Sequence, residues 1–481
     1  MSALQGKLLF FLITALTCNS FLLIGFDNGV LGGVINQPAF NATFNSPDAT
    51  TLGLIVSLYE GKERKGVAQE NRGTFFAYEF FFSGMFSTSY GLPQMIIARI
   101  VSGIGMGFIN STAPVYQSEF SPRASRGLYA CAQLSTLNFG IFLTYWIDYG
   151  FAGIPDSYAW RVPVVLQCIF IIPIIVLSGI LPDTPRWLIG HSRIIEAEEV
   201  YSRVQRGRMP AQEIESTFNK MKMLVAAEDE VQVKGFKAVF RNDHLHSRRR
   251  LLIACSIQFF QQLGGINGII YYAGTIFSTS LGFDDHFAAL MSGFLFTWFF
   301  VASFIPWFLI DRIGRRPLLL YSITLMAAVF AVLSGLVSQI QYQTSIQYAC
   351  GAAATAMLFI YQGAFTVGFQ ATVWVYPPEI LPLRIRQTGT AIATACNWII
   401  NFMVVQITPV GIANIGWKYY IIYAIFNACF VPIIYFFYPE TKGLELEDVD
   451  RLFAGDSIDQ VVAEKGDWDH GLKSKETELV Q

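Results

Sequence analysis

The length of the uncharged segments is what most limits the folds open to this chain. Seven segments contain no Asp, Glu, Lys or Arg: 8–26, 127–147, 162–182, 251–283, 317–378, 387–417 and 419–439. A helix of about 20 apolar residues crosses the hydrocarbon core of a bilayer, so the longest segment has room for two or three crossings. Only 14% of the residues are charged, whereas soluble domains average about 25%. The sequence therefore predicts an all-α polytopic membrane protein.

Basic residues gather between the uncharged segments, which indicates their side of the membrane. Twelve basic and nine acidic residues lie in 193–250, and shorter basic motifs are "SPRASR" (121–126), "DRIGRR" (311–316) and "PLRIR" (382–386). Cytoplasmic loops carry an excess of Lys and Arg, so we expect these segments and both termini in the cytoplasm. The net charge of −2 points to no partner, and no nucleic-acid ligand is expected.

Neither the cysteines nor the histidines form a pattern that predicts chemistry. The seven cysteines lie in apolar segments without disulfide or zinc-like spacing, and the five histidines do not cluster. Because no nucleophile–base pair or metal-ligand set is recognisable, we expect no enzyme, no catalytic residue, no metal and no cofactor. The N-terminus lacks a signal-peptide cleavage pattern, and 8–24 is expected to be the first span.

The chain repeats itself at long range. "YQSEFSPRASRG" (116–127) and "YPPEILPLRIRQTG" (376–389) share Tyr, Glu, Pro and Arg at equal spacing, 260 residues apart, and "LPDTPRWL" (181–188) recurs as "YPETKGL" (438–444). Parallel repeats of this kind are typical of secondary transporters. We therefore predict one helical half over 1–188, a cytoplasmic linker with short helices over 189–250, a second half over 251–438 and a cytoplasmic tail over 439–481.

The first half is interrupted by the charged stretch "LYEGKERKGVAQENRGT" (58–74). The uncharged run before it, "TLGLIVSLY" (51–59), has only nine residues. As a helix it would rise about 13.5 Å, which is under half of a bilayer. Two interpretations remain open. The charged stretch is an ordinary solvated loop, or the run before it is a truncated membrane helix.

The repeat favours the second interpretation, a truncated helix. Aligning "GFDNG" with "GINGI" pairs Asp27 with Asn267. Asn267 lies 109 residues before Tyr376, whereas Asp27 lies only 89 before Tyr116. The difference corresponds to about one membrane span. We therefore expect the first half to lack most of its second span, either in the protein itself or through an error in the gene model.

Nine motifs together resemble the sugar porter family of the major facilitator superfamily, in a branch typical of fungal hexose transporters. In chain order they are "GFDNGVLGG", "ARIVSGIGMG", "PVYQSEFSPRASRG", "LPDTPRWL", "QQLGGINGIIYY", "DRIGRRP", "YPPEILPLRIRQTG", "NWIINF" and "PETKGLELED". The resemblance covers roughly residues 8–453 and implies two homologous six-helix halves in the major facilitator fold. Two departures stand out. The first-half copy of the "GRR" loop is absent, and Val373 replaces the proline of a Pro–Trp pair, which leaves the local helix break open.

A carboxylate and a guanidinium in apolar surroundings are the predicted proton-coupling pair. Asp27 ends the first uncharged run, and Arg99 is the only charge between Glu79 and Glu119. Burial favours the protonated acid and a nearby arginine the ionised one, so such an acid can exchange a proton. The resemblance also pairs these two positions. A static ion pair that only holds two helices together is the alternative.

Uncharged amides are the predicted sugar ligands. A hexose hydroxyl both donates and accepts hydrogen bonds, and Gln and Asn do the same without a charge to desolvate. Trp374 adds an aromatic face for the apolar side of a sugar ring. Buried amides can also simply join neighbouring helices, which is the competing interpretation. The candidates are Gln133, Gln261, Gln262, Asn267, Trp374 and Asn397.

Two further groups of residues have predicted roles. Charged residues at the cytoplasmic helix ends are expected to form bridges that close the inward side, or else only to set topology: Glu119, Arg126, Arg312, Arg315, Arg316 and Glu379. The sequon "NAT" follows the first span, so Asn41 is predicted to lie outside and to be glycosylated.

Taken together, these features predict a multi-pass plasma-membrane transporter that moves a monosaccharide, a hexose such as glucose, by alternating access. Symport with a proton is the expected coupling. The expected partners are the sugar, the proton and the lipid bilayer. Two alternatives are a sugar sensor that does not transport and an inactive, truncated product. The sensor fits less well, because such relatives carry long cytoplasmic tails and the segment after Pro439 has only about 40 residues.

Overall fold

The structure is a computed structural model and describes residues 5–57, 88–121, 126–231, 246–382, 385–443, 449 and 452–453. In the first half the helices are α1 (Gly6–Val34), α2 (Pro38–Thr43), α3 (Ala49–Ser57), α4 (Leu92–Phe120), α5 (Arg126–Phe151), α6 (Tyr158–Leu166) and α7 (Cys168–Ile180). Helix α8 (Pro185–Gly190) crosses the predicted start of the linker, and the linker contains α9 (Ile194–Gln205) and α10 (Ala211–Val231).

The second half is also helical. Its helices are α11 (Ser247–Leu263), α12 (Ile266–Thr275), α13 (Asp285–Ala302), α14 (Pro306–Ile313), α15 (Arg315–Gln341), α16 (Gln347–Ala364), α17 (Ala371–Ile380), α18 (Arg386–Ile415) and α19 (Lys418–Phe437). Two π-helical segments, Ile276–Ser280 and Phe365–Gln370, continue α12 and join α16 to α17.

Several helices are long enough for a membrane, as the uncharged runs predict. Within the described ranges, eight helices have the length and apolar composition to cross a bilayer. They are Gly6–Val34, Leu92–Phe120, Tyr158–Ile180, Asp285–Ala302, Arg315–Gln341, Gln347–Ile380, Thr388–Ile415 and Lys418–Phe437. Large apolar side chains on these helices point outward, Ile172 on α7 and Phe436 on α19 among them. Such a surface suits lipid rather than water.

Close backbone contact holds α1 against α5. A Cβ on Gly25 would lie 1.9 Å from the carbonyl oxygen of Leu137, and one on Gly140 would lie 2.3 Å from that of Leu22. Small residues at a helix crossing let the two backbones approach, which is how helices associate in lipid. This crossing fixes the position of Asp27, two residues after Gly25.

The helix expected to carry three of the predicted sugar ligands is divided in two. Gly265 has a φ of +94°, a left-handed conformation that costs glycine little. The break separates α11, which carries Gln261 and Gln262, from α12, which carries Asn267. The prediction of one continuous helix was therefore wrong, although the turn keeps all three residues together.

The second-half irregularity lies before the Val373–Trp374 pair rather than at it. The chain stays helical through this pair in α17, and the π-helical segment Phe365–Gln370 precedes it. Gly368 in that segment allows close packing, since a Cβ there would overlap Ser322 of α15. The departure from a Pro–Trp pair therefore leaves α17 unbroken.

Helix α3 begins with an N-terminal cap. The backbone N–H of Thr51 donates to Asp48 Oδ1, and the Thr51 hydroxyl donates to the same atom. These hydrogen bonds, the hydroxyl first, hold the pKa of Asp48 below its usual value, as expected for an N-terminal cap. The helix packs on α18 of the second half, where Gln406 Nε2 donates to the Thr50 carbonyl at 3.0 Å. Residues 58–74, where truncation is predicted, lie outside the described residues, and that prediction stands as made.

The linker helices pack against the beginning of α1. Val200 and Val204 of α9 and Phe218 of α10 share a buried apolar cluster with Leu9. The Arg208 guanidinium lies 3.9 Å from the centre of the Phe10 ring, within cation–π distance. The linker thus forms a helical layer under the first half.

Candidate functional site

The Asp27 and Arg99 side chains meet inside the first half. Arg99 Nη1 of α4 lies 3.2 Å from Asp27 Oδ2 and 3.4 Å from Oδ1. The two side chains are 1% and 0% exposed. A buried pair of this kind persists because each charge compensates the desolvation of the other. Neutralising the carboxylate would therefore weaken the electrostatic attraction between α1 and α4.

The second-half amides form one connected hydrogen-bond network, here called the amide network. Gln262 Nε2 donates to Asn397 Oδ1 at 2.9 Å, and Asn267 Nδ2 donates to Gln262 Oε1 at 2.7 Å. Asn397 Nδ2 faces Gln261 Oε1 at 2.7 Å. Four of the predicted ligands are thus brought together from α11, α12 and α18.

Two residues that the sequence reasoning missed complete this network. Asn401 Oδ1 accepts from Asn267 Nδ2 at 2.6 Å, and Gln258 Oε1 lies 2.7 Å from Asn397 Nδ2. Both follow helical spacing, because Asn401 lies four residues after Asn397 and Gln258 lies four before Gln262. Side chains four residues apart share a helix face, and this signal in "NWIIN" and "QFFQQ" could have revealed them.

Most side-chain hydrogen bonds of the network join its own members, and Gln258 Nε2 also donates to the Val373 carbonyl of α17 at 3.0 Å. Amide groups exchange such partners for sugar hydroxyls at little cost, because both offer donors and acceptors without charge. The arrangement can therefore hold a polyhydroxylated ligand, and it can equally join α11 to α18.

The two remaining ligand candidates lie outside the network. Gln133 of α5 is buried, and its amide nitrogen has no hydrogen-bond partner in the described part of the chain. Trp374 of α17 is half-buried, so part of its ring is accessible. An unpaired buried amide costs about 1–3 kcal/mol, which makes Gln133 the candidate most in need of a partner.

Hydrogen bonds also join the two halves near these residues. Asn138 Nδ2 of α5 donates to Gln370 Oε1 at 3.0 Å, and Gln370 Nε2 donates back to Asn138 Oδ1 at 2.6 Å. The Tyr271 hydroxyl of α12 donates to Asn28 Oδ1 at 3.1 Å. None of these residues was predicted, since nothing in their local sequence indicates a partner more than 200 positions away.

The predicted gate residues form a smaller network than expected. Arg315 Nη2 lies 2.9 Å from Glu379 Oε1, and Arg315 Nη1 lies 3.1 Å from Asp311 Oδ1. The Glu440 carboxylate accepts from the backbone N–H groups of Arg315 and Arg316, which caps α15. These contacts lie within the second half and between it and the first residues of the predicted tail.

Other predicted gate residues differ from the expectation. In the described ranges Arg312 and Arg316 form no ion pair; Arg316 Nη2 instead donates to the Tyr435 carbonyl at 2.5 Å. The Arg312 side chain is exposed, so water competes with any partner. Glu119 lies in the last turn of α4. Arg126 is the first residue of α5, and its side chain is not among the described ones.

The predicted glycosylation site lies on α2. Asn41 is partly exposed, and the hydroxyl of Thr43 accepts from Trp160 Nε1 at 3.2 Å. Its modification remains a prediction. Among the described residues, no group of three His, Cys, Asp or Glu side chains could hold a metal ion.

Comparison with known proteins identifies the family. The sequence profile of the family "Sugar (and other) transporter" matches residues 78–453, which is most of the chain. The chain belongs to this family. It is thus a membrane sugar transporter of the major facilitator superfamily, and the prediction that it is not an enzyme is confirmed.

Relatives of this sugar transporter extend along nearly its whole length. It is 34% identical to the MFS-type transporter oryC of Aspergillus oryzae over 94% of this chain and 86% of the relative. It is 32% identical to the sugar transporter STL1 of Saccharomyces cerevisiae over 94% and 82%.

A solved structure confirms the predicted fold. The proton:xylose symporter XylE, solved with 6-bromo-6-deoxy-D-glucose bound, superposes with a TM-score of 0.72 at 24% identity. The match covers 92% of this chain and 99% of XylE, a protein from E. coli. The major facilitator fold is therefore shown.

Proposed function

We propose that this sugar transporter moves a monosaccharide, a hexose such as glucose, by alternating access and in symport with a proton. The observation that carries the proposal is the amide network, a cluster of uncharged donors and acceptors in a member of a sugar transporter family. XylE, which shares the fold, is a proton:xylose symporter that was solved with a glucose derivative bound. The likeness supports the proposal at the level of substrate class.

Sugar binding would use the network from one side and the first half from the other. Gln261, Gln262, Asn267 and Asn397 would exchange their mutual hydrogen bonds for sugar hydroxyls. Gln133 would supply the first-half amide, since its nitrogen is buried and unpaired in the described part of the chain. Trp374 would stack on the apolar face of the ring.

Proton coupling would use Asp27. Its carboxylate is buried against Arg99, so taking up a proton would weaken that contact. Helices α1 and α4 would then be freer to shift against one another. A ligand moves an equilibrium only by its difference in affinity for the two states, and a proton bound at Asp27 provides such a difference.

Placement in the membrane completes the proposal. The end that carries Arg312, Arg315, Arg316 and Arg386 is here called the basic end, and we place it in the cytoplasm by the excess of basic residues. Both termini would lie there, and the site of action would be the plasma membrane. The Arg315–Glu379 pair would stiffen the second half at the basic end, and Glu119, Arg126, Arg312 and Arg316 would serve there as gate residues.

Uptake by proteoliposomes tests this function. We expect labelled glucose to exchange across the membrane, and an inward proton gradient to accumulate it above equilibrium. Xylose, galactose and fructose, offered separately, rank the substrates. Equal accumulation with and without a gradient would contradict symport, and absence of exchange with all four sugars would contradict monosaccharide transport.

A further inference from the structure

A second buried acid lies at the opposite end of the molecule from the basic end. Asp148 is 22 residues beyond Arg126, the first residue of α5. At 1.5 Å per residue this is about 33 Å along the helix, which is the thickness of the hydrocarbon core. The side chain of Asp148 is 2% exposed.

The Asp148 carboxyl group has no hydrogen-bond partner among the described residues. Both of its oxygens are buried without a hydrogen bond in the described part of the chain. The backbone carbonyl of Asp148 accepts from Gln37 Nε2 at 3.4 Å. Its side chain packs on α1, where a Cβ on Gly33 would lie 2.0 Å from Asp148 Oδ2. Asp27 differs in this respect, because it faces Arg99.

The carboxyl group lines a cavity between the two halves. The walls come from α1 and α5 of the first half and from α12, its π-helical extension and α13 of the second. The lining includes Asn36, Tyr145, Ser278 and Ser292. The free volume is about 30 Å³, which holds one or two water molecules. A hexose does not fit, so the ligand of this site is smaller than the transported sugar.

The charges around the cavity favour a proton over a metal ion as that ligand. On α5 the titratable neighbours are Tyr145, whose hydroxyl donates to the Ile270 carbonyl, and Tyr149. On α13 they are the exposed Asp285, which lines the cavity, and His286, whose Nε2 lies 3.2 Å from the Tyr149 hydroxyl. The described lining residues from α1, α12 and the π-helical segment include no titratable group.

A buried carboxylate with neither cation nor donor is costly, and the neutral acid is the form that such a site holds at low cost. A metal ion would need several oxygen ligands at close range, whereas Asp285 is exposed at the rim. We propose that Asp148 is a proton-binding site whose occupancy is required for the two halves to close at this end. The proposal rests on the transport function proposed above, and on the orientation that places this end outside.

The coupling follows from the position of the cavity between the halves. When the halves separate here, water reaches Asp148 and the ionised form is stabilised. When they close, the cavity shrinks to the volume of a water molecule or two and the carboxyl must be neutral. The closed state therefore binds a proton more tightly than the open one, and by linkage the proton favours closure.

The test is the pH dependence of sugar exchange in proteoliposomes with equal pH on both sides, so that no gradient acts. We expect wild-type exchange to fall by up to about tenfold per pH unit on the alkaline side, by mass action of the proton. Asp148→Asn mimics the neutral acid, and its exchange should stay at the acidic limit throughout. Asp285→Asn, the exposed acid of the same cavity, is the matched control and should behave like wild type.

Infrared spectroscopy provides a readout that does not depend on transport. A carbonyl-stretch band of a protonated carboxyl should be present in wild type and in Asp285→Asn, and absent in Asp148→Asn. Failure of all sugar exchange in wild type would contradict the proposed function and leave this band as the measure of the proton site. An alkaline fall in Asp148→Asn equal to that of wild type, absence of the band, or a response to Na⁺ at constant pH would overturn the proposal.

Discussion

At the scale of single residues, two kinds of buried polar group do different work in this transporter. Asp27 and Arg99 are charged and compensate one another at 3.2 Å. The amides of α11 and α18 are neutral and share hydrogen bonds across helices. Neutral groups exchange partners at a lower desolvation cost than charged ones. The amides are therefore suited to a ligand that comes and goes, and the ion pair to a proton.

Replacing the acid tests the coupling. Asp27→Asn keeps the size of the side chain and removes the titratable group, so accumulation driven by a proton gradient should be lost while sugar exchange continues. Loss of the Asp27 carboxylate would also weaken the compensation of the Arg99 charge and lower the stability, by up to about 3–5 kcal/mol. Melting curves of Asp27→Asn and of Asp27→Asn/Arg99→Gln separate the two effects, since the double variant removes both charges. Wild-type accumulation by a folded Asp27→Asn protein would contradict the coupling role.

Truncating one amide tests sugar binding. Gln262→Ala should leave a sugar hydroxyl unpaired in a desolvated site and weaken binding by about 1–3 kcal/mol, which is roughly five- to 150-fold in affinity. Gln212→Ala, on the exposed face of linker helix α10, is the control and should bind sugar normally. Binding measured by calorimetry on folded protein decides. Unchanged affinity in Gln262→Ala would mean that this glutamine only joins α11 to α18.

At the scale of helices, irregular points place the polar groups. The break at Gly265 lets Asn267 turn back toward Gln262, and the π-helical segment ends at Gln370, which faces Asn138 across the two halves. Short π-helical segments inside helices are frequent at functional sites. The pair Asn138–Gln370 is therefore a contact that must break if the halves separate along this line.

A double-mutant cycle measures the coupling between these helices. Asn138→Ala and Gln370→Ala should each destabilise the protein by about 1–3 kcal/mol, because each leaves a buried amide unpaired. The double variant should lose less than the sum, since it leaves no orphaned partner. Denaturation midpoints in detergent provide the numbers, and the cycle of Asn138 with the distant Asn427 of α19 is the control. Strict additivity for Asn138 and Gln370 would contradict an energetic link.

At the scale of the whole molecule, the feature to explain is the length of the second span in the first half. Helix α3 has an N-terminal cap and packs on α18, as the beginning of a span would. Its described part covers nine residues, Ala49–Ser57, and the family profile matches from residue 78 onward. A span no longer than the uncharged run 51–59 would expose backbone groups to lipid, at several kcal/mol each.

The transcript resolves this point. We predict that the functional messenger RNA encodes an apolar stretch after Tyr59 followed by a "GRR"-like loop. Because one membrane span needs about 20 residues, the encoded protein should be longer than this chain by about that number. With those residues both basic motifs, 121–126 and 382–386, would lie on one side of the membrane, as two parallel halves require. Sequencing of transcripts across 51–90 is the measurement. Transcripts that encode only the printed sequence, with normal sugar transport by the product, would contradict the prediction.

Much of this protein could be read from its residues in order. The class follows from uncharged segments longer than a bilayer is thick, and the family from nine motifs in sequence. Arg99 could be named as the partner of Asp27 because the apolar segment around it offered no other charge. These features are local or compositional, so they can be recognised without any knowledge of how the helices pack.

The rest depended on which helices lie side by side. Asn401 and Gln258 join the amide network only because α11 and α18 pack together. Gln370 is hydrogen-bonded to Asn138, which lies 232 positions earlier in the chain. No local sequence pattern predicts that pair. The cavity around Asp148 likewise exists only where α1 and α5 meet α12 and α13. Helical period decides which face a residue occupies, whereas what that face touches is decided by the tertiary arrangement of helices whose surfaces are almost uniformly apolar.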